Sequence, residues 1–253
     1  MEESIKSYYE NYDEEGRLFR DNAHLLEYLI ATRYFDKLFA PGSRILDACA
    51  GTGQYSFYLA GKGHIVTACD LAEHHINIIN SKPNRDKLAG TAVCNVLDLS
   101  RFESSSFDVV LCMGALYHLS SDKEKSKAIN ECTRVCKPGG LVVLAYINYF
   151  AVVADNVNTG LTNLDQVLAE FEDGSDCIWK ASTPAKMEQY AKNEGLETRH
   201  NIGTEGLSFL ISNKVNAASA EDFDKWMEFI YKHCEDPSIL GISAHGLLIA
   251  RKI

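Results

Sequence analysis

Apolar positions in this chain follow two periods. Across residues 22–39, Leu25, Leu26, Leu29, Ile30, Phe35, Leu38 and Phe39 recur at helical spacing, and the turn pair Pro41-Gly42 stops the run. The pattern predicts a helix whose apolar stripe packs on a sheet. Arg44 to Cys49 is then short and mostly apolar, as a buried strand of a parallel sheet is. Similar short runs predict strands at 64–69, 92–94, 107–112 and 141–147, the fourth of these five strands apolar throughout except for Asp108. Helices are expected between them, over 54–60 and 72–81. After Asp122, placed to cap it, comes a third with Ala128, Ile129, Cys132, Val135 and Cys136 on one face. Lys137-Pro138-Gly139-Gly140 ends that helix and opens the fifth strand. Five strands alternating with helices predict an α/β, doubly wound, mainly parallel sheet, whose ligands lie at the carboxyl ends of the strands.

The last hundred residues are less regular. Thr183 and Pro184 read as an N-cap and first helical residue, Met187, Tyr190 and Ala191 as a buried face, and Gly195 as the stop. A sixth strand is expected at 196–202 and a terminal one at 246–251. Between them an insertion, about 204–243, carries a helix over 221–234 with Phe223, Trp226, Met227 and Ile230 on one side. It is expected to cap the substrate side.

The glycine loop after the first strand brings in chemistry. Ala50, Gly51 and Gly53 let backbone approach a ligand, and the helix that follows can turn its free N–H groups toward it. A lone Gly-x-Gly fits a nicotinamide cofactor, a nucleotide phosphate or a tight turn, and Ser56 stands at the third glycine of the dinucleotide pattern. Asp47 ends the first strand. Asp70 closes the second, where an acidic side chain can accept both hydroxyls of a ribose.

Leu46-Asp47-Ala48-Cys49-Ala50-Gly51-Thr52-Gly53 resembles the first motif of class I S-adenosylmethionine-dependent methyltransferases, with Cys49 where that family more often has glycine. Phe107-Asp108-Val109-Val110, Gly114-Ala115-Leu116-Tyr117-His118-Leu119 and Lys137-Pro138-Gly139-Gly140 resemble later motifs in the same order, so the likeness spans about residues 40–150. The C-terminal stretch from Cys234 to His245 is similar to a bacterial, small-molecule-type subgroup.

The resemblance implies a Rossmann-like seven-stranded sheet with the last strand antiparallel, in a single domain over 1–253. Within it, 1–40 would be N-terminal helices or a lid, 41–150 the cofactor-binding core and 151–253 the C-terminal part with the cap insertion. It implies S-adenosylmethionine as cofactor and S-adenosylhomocysteine as product. Cys49, Gly51 and Gly53 would pass close to it, Asp47 place its amino acid end, and Asp70 and Leu71 hold the ribose and its surroundings. Asn95 and Val96 would hold the adenine, and Asn retains an acceptor oxygen where the family often has Asp. Met113 and Gly114 would border the methionine part, and Tyr12 and Arg17 would reach over it from the lid.

Methyl transfer from a sulfonium is an in-line displacement that needs collinear partners and exclusion of water, with a base only where the acceptor arrives protonated. Tyr117, His118 and His245 are the catalytic candidates. His118 reads either as a base or orienting group, or as a ring packed under the loop with one nitrogen on backbone; His245 reads as a pocket residue or a turn residue. His74 and His75 are expected on an exposed helix. Cys49, Cys69, Cys94 and Cys112 fall at strand ends, too widely spread for one zinc, so no metal site is expected.

Composition narrows the partners. With 46% hydrophobic and 24% charged residues the chain is ordinary globular protein, and a net charge of -10 excludes a broad nucleic-acid surface. No stretch approaches a membrane span, the acidic start lacks a signal-peptide core, and eight cysteines sit within predicted elements, which together suggest a reduced, cytoplasmic protein. A small-molecule acceptor is expected; its identity and the oligomeric state stay open. A regulatory protein that binds S-adenosylmethionine without catalysis, or a nicotinamide-dependent oxidoreductase, are the alternatives.

Overall fold

The computed structural model describes residues 2–158, 164–170 and 178–253. Helix α1 (Glu2–Glu10), a 3-10 turn at Arg17–Phe19 and helix α2 (Asn22–Leu38) precede the sheet. Then come β1 (Arg44–Asp47), α3 (Gln54–Gly61), β2 (Ile65–Asp70), α4 (Glu73–Ser81), β3 (Gly90–Val93) and β4 (Phe107–Cys112). The chain continues through α5 (Asp122–Val135), β5 (Cys136–Ile147), α6 (Tyr149–Asn158), α7 (Leu164–Glu170), α8 (Pro184–Asn193) and β6 (Leu196–Gly203). Helices α9 (Ser212–Asn216), α10 (Ala220–His233) and α11 (Pro237–Ile242) lead to β7 (His245–Lys252).

The strands form one seven-stranded sheet in the order β3-β2-β1-β4-β5-β7-β6, and β7 runs antiparallel to both of its neighbours. Strand order reverses between β1 and β4, so the loops leaving their carboxyl ends diverge and open a crevice. The sheet is covered on both faces because successive strand residues point opposite ways. Val110 and Cys112 of β4 pack with Ala128, Ile129 and Cys132 of α5 and Met187 of α8. Val109 and Leu111 pack instead with Ile30 and Phe35 of α2, Leu59 of α3 and Ile79 of α4.

Several boundaries differ from the sequence reading for local reasons. β3 stops at Val93, leaving Cys94 in the loop. β5 begins at Cys136, because a register shift between Phe107 and Val109 on its partner accommodates Lys137 to Gly140. Asp122 does not cap α5: Ser121 does, in a reciprocal capping box with Glu124, and Asp122 accepts a 2.6 Å hydrogen bond from the Tyr190 hydroxyl. His75 is buried, since its side of α4 faces the sheet edge. Helices α9 and α10 bring Val215 and Phe223 against Ala23 and Leu26 of α2, so this insertion packs on that helix.

Candidate active site

A cavity of about 1220 Å³, part of it open to solvent, lies at the carboxyl ends of β1, β2 and β4. Its floor is the loop after β1. Gly53 donates its N–H to the Ala50 carbonyl at 2.8 Å, Ala50 donates to the Cys69 carbonyl at 2.8 Å, and Gly51 takes φ +52° and Gly53 φ +90°. At Gly53 a Cβ would also sit 3.1 Å from Ile79 and Phe57 carbons, so both backbone angle and space select glycine.

Asp70 fixes this loop from the next strand. Its Oδ2 accepts the Gly51 N–H at 2.8 Å, and its Oδ1 accepts the Ala72 N–H at 2.9 Å and lies 3.1 Å from His75 Nδ1. Asp70 and Leu71 line the cavity, as do Cys49 and Gly51. Asn95, Val96, Met113 and Gly114 line it from the other side. The Asn95 side-chain oxygen accepts the Leu97 N–H at 2.9 Å, holding the loop after β3 in a tight turn. A Cβ on Gly114 would meet Cys49 Cβ at 3.3 Å, so the β1 and β4 loops touch where only small groups fit.

Four expected site residues lie elsewhere. Asp47 and Gly53 stand beneath the loop and not on the cavity wall. The Asp47 carboxylate is buried and accepts the Ser56 hydroxyl at 2.7 Å; burial pushes its pKa up to about 7, against the pull of that hydrogen bond. Ser56, at the position of the third dinucleotide glycine, thus ties the first helical turn back to β1. Tyr12 stacks on Tyr8 with ring centroids 5.2 Å apart, outside the cavity wall. His245 lines a second, smaller cavity together with Glu27, Thr204, Met113 and Tyr117; the last two residues belong to both walls.

A further side of the cavity is made by α1 and the segment through the 3-10 turn, with Ile5, Lys6, Tyr9, Glu14, Arg17 and Leu18 on its wall. His118 is reached from here. Its Nδ1 lies 2.9 Å from the Ile178 carbonyl, which can only accept, so Nδ1 carries the proton and Nε2 accepts the Tyr9 hydroxyl at 2.9 Å. Burial lowers the His118 pKa. Both nitrogens are thus engaged, one on backbone, while the ring also lines the main cavity.

Sequence reasoning named Arg17 and His245 but missed the carboxylates Glu14, Glu27 and Glu205, which join them in a charged row. Arg17 donates from Nε to Glu14 at 3.1 Å and through both terminal nitrogens to Glu27 at 2.8 and 3.2 Å. His245 Nδ1 lies 2.8 Å from Glu205 and 3.8 Å from Glu27. Burial pushes the Glu14 carboxyl up, whereas at Glu27 Arg17 and His245 overcome burial and hold the pKa at about 2. His245 is likewise held at about 9: burial lowers it, and Glu205 and Glu27 more than reverse that. Only the Glu14–Arg17 spacing of three is a sequence signal; 17, 27, 205 and 245 share no local pattern.

Three buried polar atoms on residues of the main cavity wall have no hydrogen-bond partner: Thr52 Oγ1, the Tyr55 hydroxyl and His75 Nε2. Buried polar groups are rarely left so, and these three belong to residues around one cavity. Among the described residues no group of three or more His, Cys, Asp and Glu is placed to hold a metal ion. No helix among them is long and apolar enough to cross a membrane.

Comparisons with known proteins converge on this edge. Residues 46–144 match the family model described as "Methyltransferase domain". The chain is 26% identical over 162 residues to the ubiquinone biosynthesis O-methyltransferase of Coxiella burnetii, covering 61% of this chain and 64% of that protein, less than two thirds of its length. It is 31% identical over 107 residues to the glycine/sarcosine N-methyltransferase of Parasynechococcus marenigrum, covering 42% and 38%. A geranyl diphosphate methyltransferase solved with GPP and sinefungin has the same fold at a TM-score of 0.57 and 17% identity, over 91% of this chain and 80% of that one. Fold, motif order and family match agree: residues 46–144 match a methyltransferase domain, set in the seven-stranded fold that solved methyltransferases share.

Proposed function

We propose that the main cavity binds S-adenosylmethionine and that the chain catalyses methyl transfer to a small-molecule acceptor. The observation that carries this reading is the set of unpartnered buried polar atoms, Thr52 Oγ1, Tyr55 hydroxyl and His75 Nε2, gathered with Asp70 around the crevice where strand order reverses. Asp70 faces the ribose hydroxyls, having lone pairs left beyond its backbone bonds. Asn95, Val96 and Leu71 enclose the base. Cys49 and Gly51 let the loop backbone approach, and Met113 and Gly114 border the methionine part. Glu14 and Arg17 offer opposite charges to an ammonium and a carboxylate. When bound, this cofactor supplies an electrophilic methyl group on a sulfonium.

Residues 1–40 act as the lid, 41–150 hold the cofactor and the C-terminal part completes the acceptor side. The named relatives methylate through oxygen in one case and nitrogen in the other, which supports a small acceptor as a class. The cysteines among the described residues are free thiols, which supports a reducing cytoplasmic setting. Calorimetric titration with S-adenosylmethionine, S-adenosylhomocysteine and NAD tests the reading. Binding of the first two without the third is the expected result; binding of NAD alone would return the loop to the dinucleotide class.

A further inference from the structure

Three cysteines from three elements meet under the floor of the main cavity. Asp47 of β1 pairs with Leu111 of β4, and the Ala48 N–H continues that ladder to the Leu111 carbonyl at 2.9 Å. Cys112 and Cys49 therefore stand one and two residues beyond the same rung, and their sulfurs lie 4.0 Å apart. Neighbouring strands run about 4.8 Å apart, so this diagonal falls within the Cα span of about 4.4–6.8 Å that a disulfide bridges. On the far side Cys132 of α5 donates its thiol to the Cys112 sulfur.

The three differ in access. Cys112 and Cys132 are fully buried, whereas Cys49 is half-buried and lines the cavity. One end of the sulfur row thus meets whatever enters from solvent, an outlet that a cysteine used only for packing does not need. The bonds donated by Cys132 and Cys49 favour the thiolate of Cys112, and donating to it keeps the proton on Cys49. An accessible sulfur backed by a buried nucleophilic one is the arrangement in which a first oxidation is trapped as a disulfide.

The geometry points to a modification site: hydrogen peroxide entering the cavity oxidises Cys49, Cys112 resolves it, and the Cys49–Cys112 disulfide that forms weakens binding at the glycine loop. In the first step Cys49 Sγ attacks a peroxide oxygen; the S–O bond forms, the O–O bond breaks, and the thiol proton leaves with the hydroxide as water. The Cys112 sulfur then attacks Cys49 Sγ. The S–S bond forms, the S–O bond breaks, and the second hydroxide leaves as water with the proton that Cys112 gives up. Two thiols lose two electrons and two protons, and one peroxide becomes two waters.

The bridge reaches the loop through its backbone. Closing from 4.0 Å to a bonded distance of about 2.05 Å pulls Cys49 toward β4. Side-chain rotation has little room, since a Cβ on Gly114 would already stand 3.3 Å from Cys49 Cβ. Ala50 and Gly51 follow directly in the chain, and the Gly51 N–H is held by Asp70, so the strain falls on the part of the wall assigned to the cofactor. This effect on binding rests on the cofactor reading above; the chemistry of the bridge does not.

The test exposes the reduced full chain to hydrogen peroxide, with and without saturating S-adenosylhomocysteine, blocks the remaining thiols and maps the peptides by mass spectrometry. A cross-link joining the Cys49 and Cys112 peptides is expected, slower to form when S-adenosylhomocysteine covers the wall and released by dithiothreitol. The cross-linked chain should bind S-adenosylhomocysteine at least about tenfold more weakly than the reduced one, with affinity restored on reduction. Cys112→Ala should leave a sulfenic acid on Cys49 that a 1,3-diketone traps; if that variant does not fold, the wild-type peptide map decides alone. No cross-link between these two cysteines while the chain stays folded, or a cross-linked chain that binds like the reduced one, would overturn the inference. Failure of the reduced chain to bind S-adenosylhomocysteine, with the cross-link formed, would count against the cofactor reading and leave the site standing.

Discussion

The loop edge and the charged row hold their shapes by different means. Around Gly51 and Gly53 the bonds are mostly backbone to backbone or backbone to Asp70, within one strand-turn-helix and its neighbour. From Glu14 through Arg17, Glu27 and His245 to Glu205 the bonds are between charged side chains drawn from both ends of the chain. A cradle held mostly by backbone bonds loses little with any one side chain. A row of buried ion pairs is sensitive to the loss of any member, because each partner leaves an uncompensated charge behind.

The largest expected effect therefore lies in the row. Glu27→Gln should cost about 3–5 kcal/mol in urea unfolding at pH 7, because Arg17 and His245 lose their shared partner. In the parent, the Glu27 pKa is depressed from 4.5 to about 2, so its contribution is present above about pH 4.5 and lost as pH falls through 2. The 2.5-unit difference corresponds to about 3 kcal/mol, in line with the substitution. His245 has the opposite sign. Its pKa is raised from 6.5 to about 9, so its contribution is present below pH 6.5 and lost as pH rises through 9. The row should stabilise the fold most between these two windows, and His245→Asn should flatten the alkaline limb.

Next comes the cradle. Asp70→Ala removes the acceptor that fixes Gly51 and faces the cavity; a hydrogen bond to a charged group is worth about 1.5–3 kcal/mol, so cofactor affinity should fall about 10- to 100-fold with little loss of fold. Gly53→Ala should destabilise by about 1–3 kcal/mol, since it combines a left-handed backbone with a close approach to Ile79 and Phe57. Equal stability in that variant would show that the loop can rearrange. The smallest effect belongs to a residue outside both regions: Ser121→Ala removes the α5 cap and should cost about 1 kcal/mol, leaving binding untouched.

The same contrast governs what was legible in the sequence. Strand order, the glycine loop and the pairing of Asp70 with it depend on short spacing and on strand periodicity, and Cys49, Gly51, Asp70, Asn95 and Gly114 all reach the cavity wall. Asp47 was legible as a strand-end carboxylate, but not its direction, which Ser56 sets from the next helix. His118 could not be assigned a state until Tyr9 and Ile178 were found on its two nitrogens. Glu27 and Glu205 carry no motif. Their role exists only because α2 packs behind β4 while the β6 and β7 ends return beside it, a tertiary juxtaposition that no local pattern encodes.

The division between a cradle built on Asp70 and the far end of the charged row at Glu205 is tested most directly by calorimetric titration of S-adenosylhomocysteine into the parent, Asp70→Ala and Glu205→Gln. The account predicts a loss of about tenfold or more in the first variant, the equivalent of 1.4 kcal/mol, and parent-like affinity in the second. Parent-like affinity in Asp70→Ala, or an equal loss in Glu205→Gln, would contradict it.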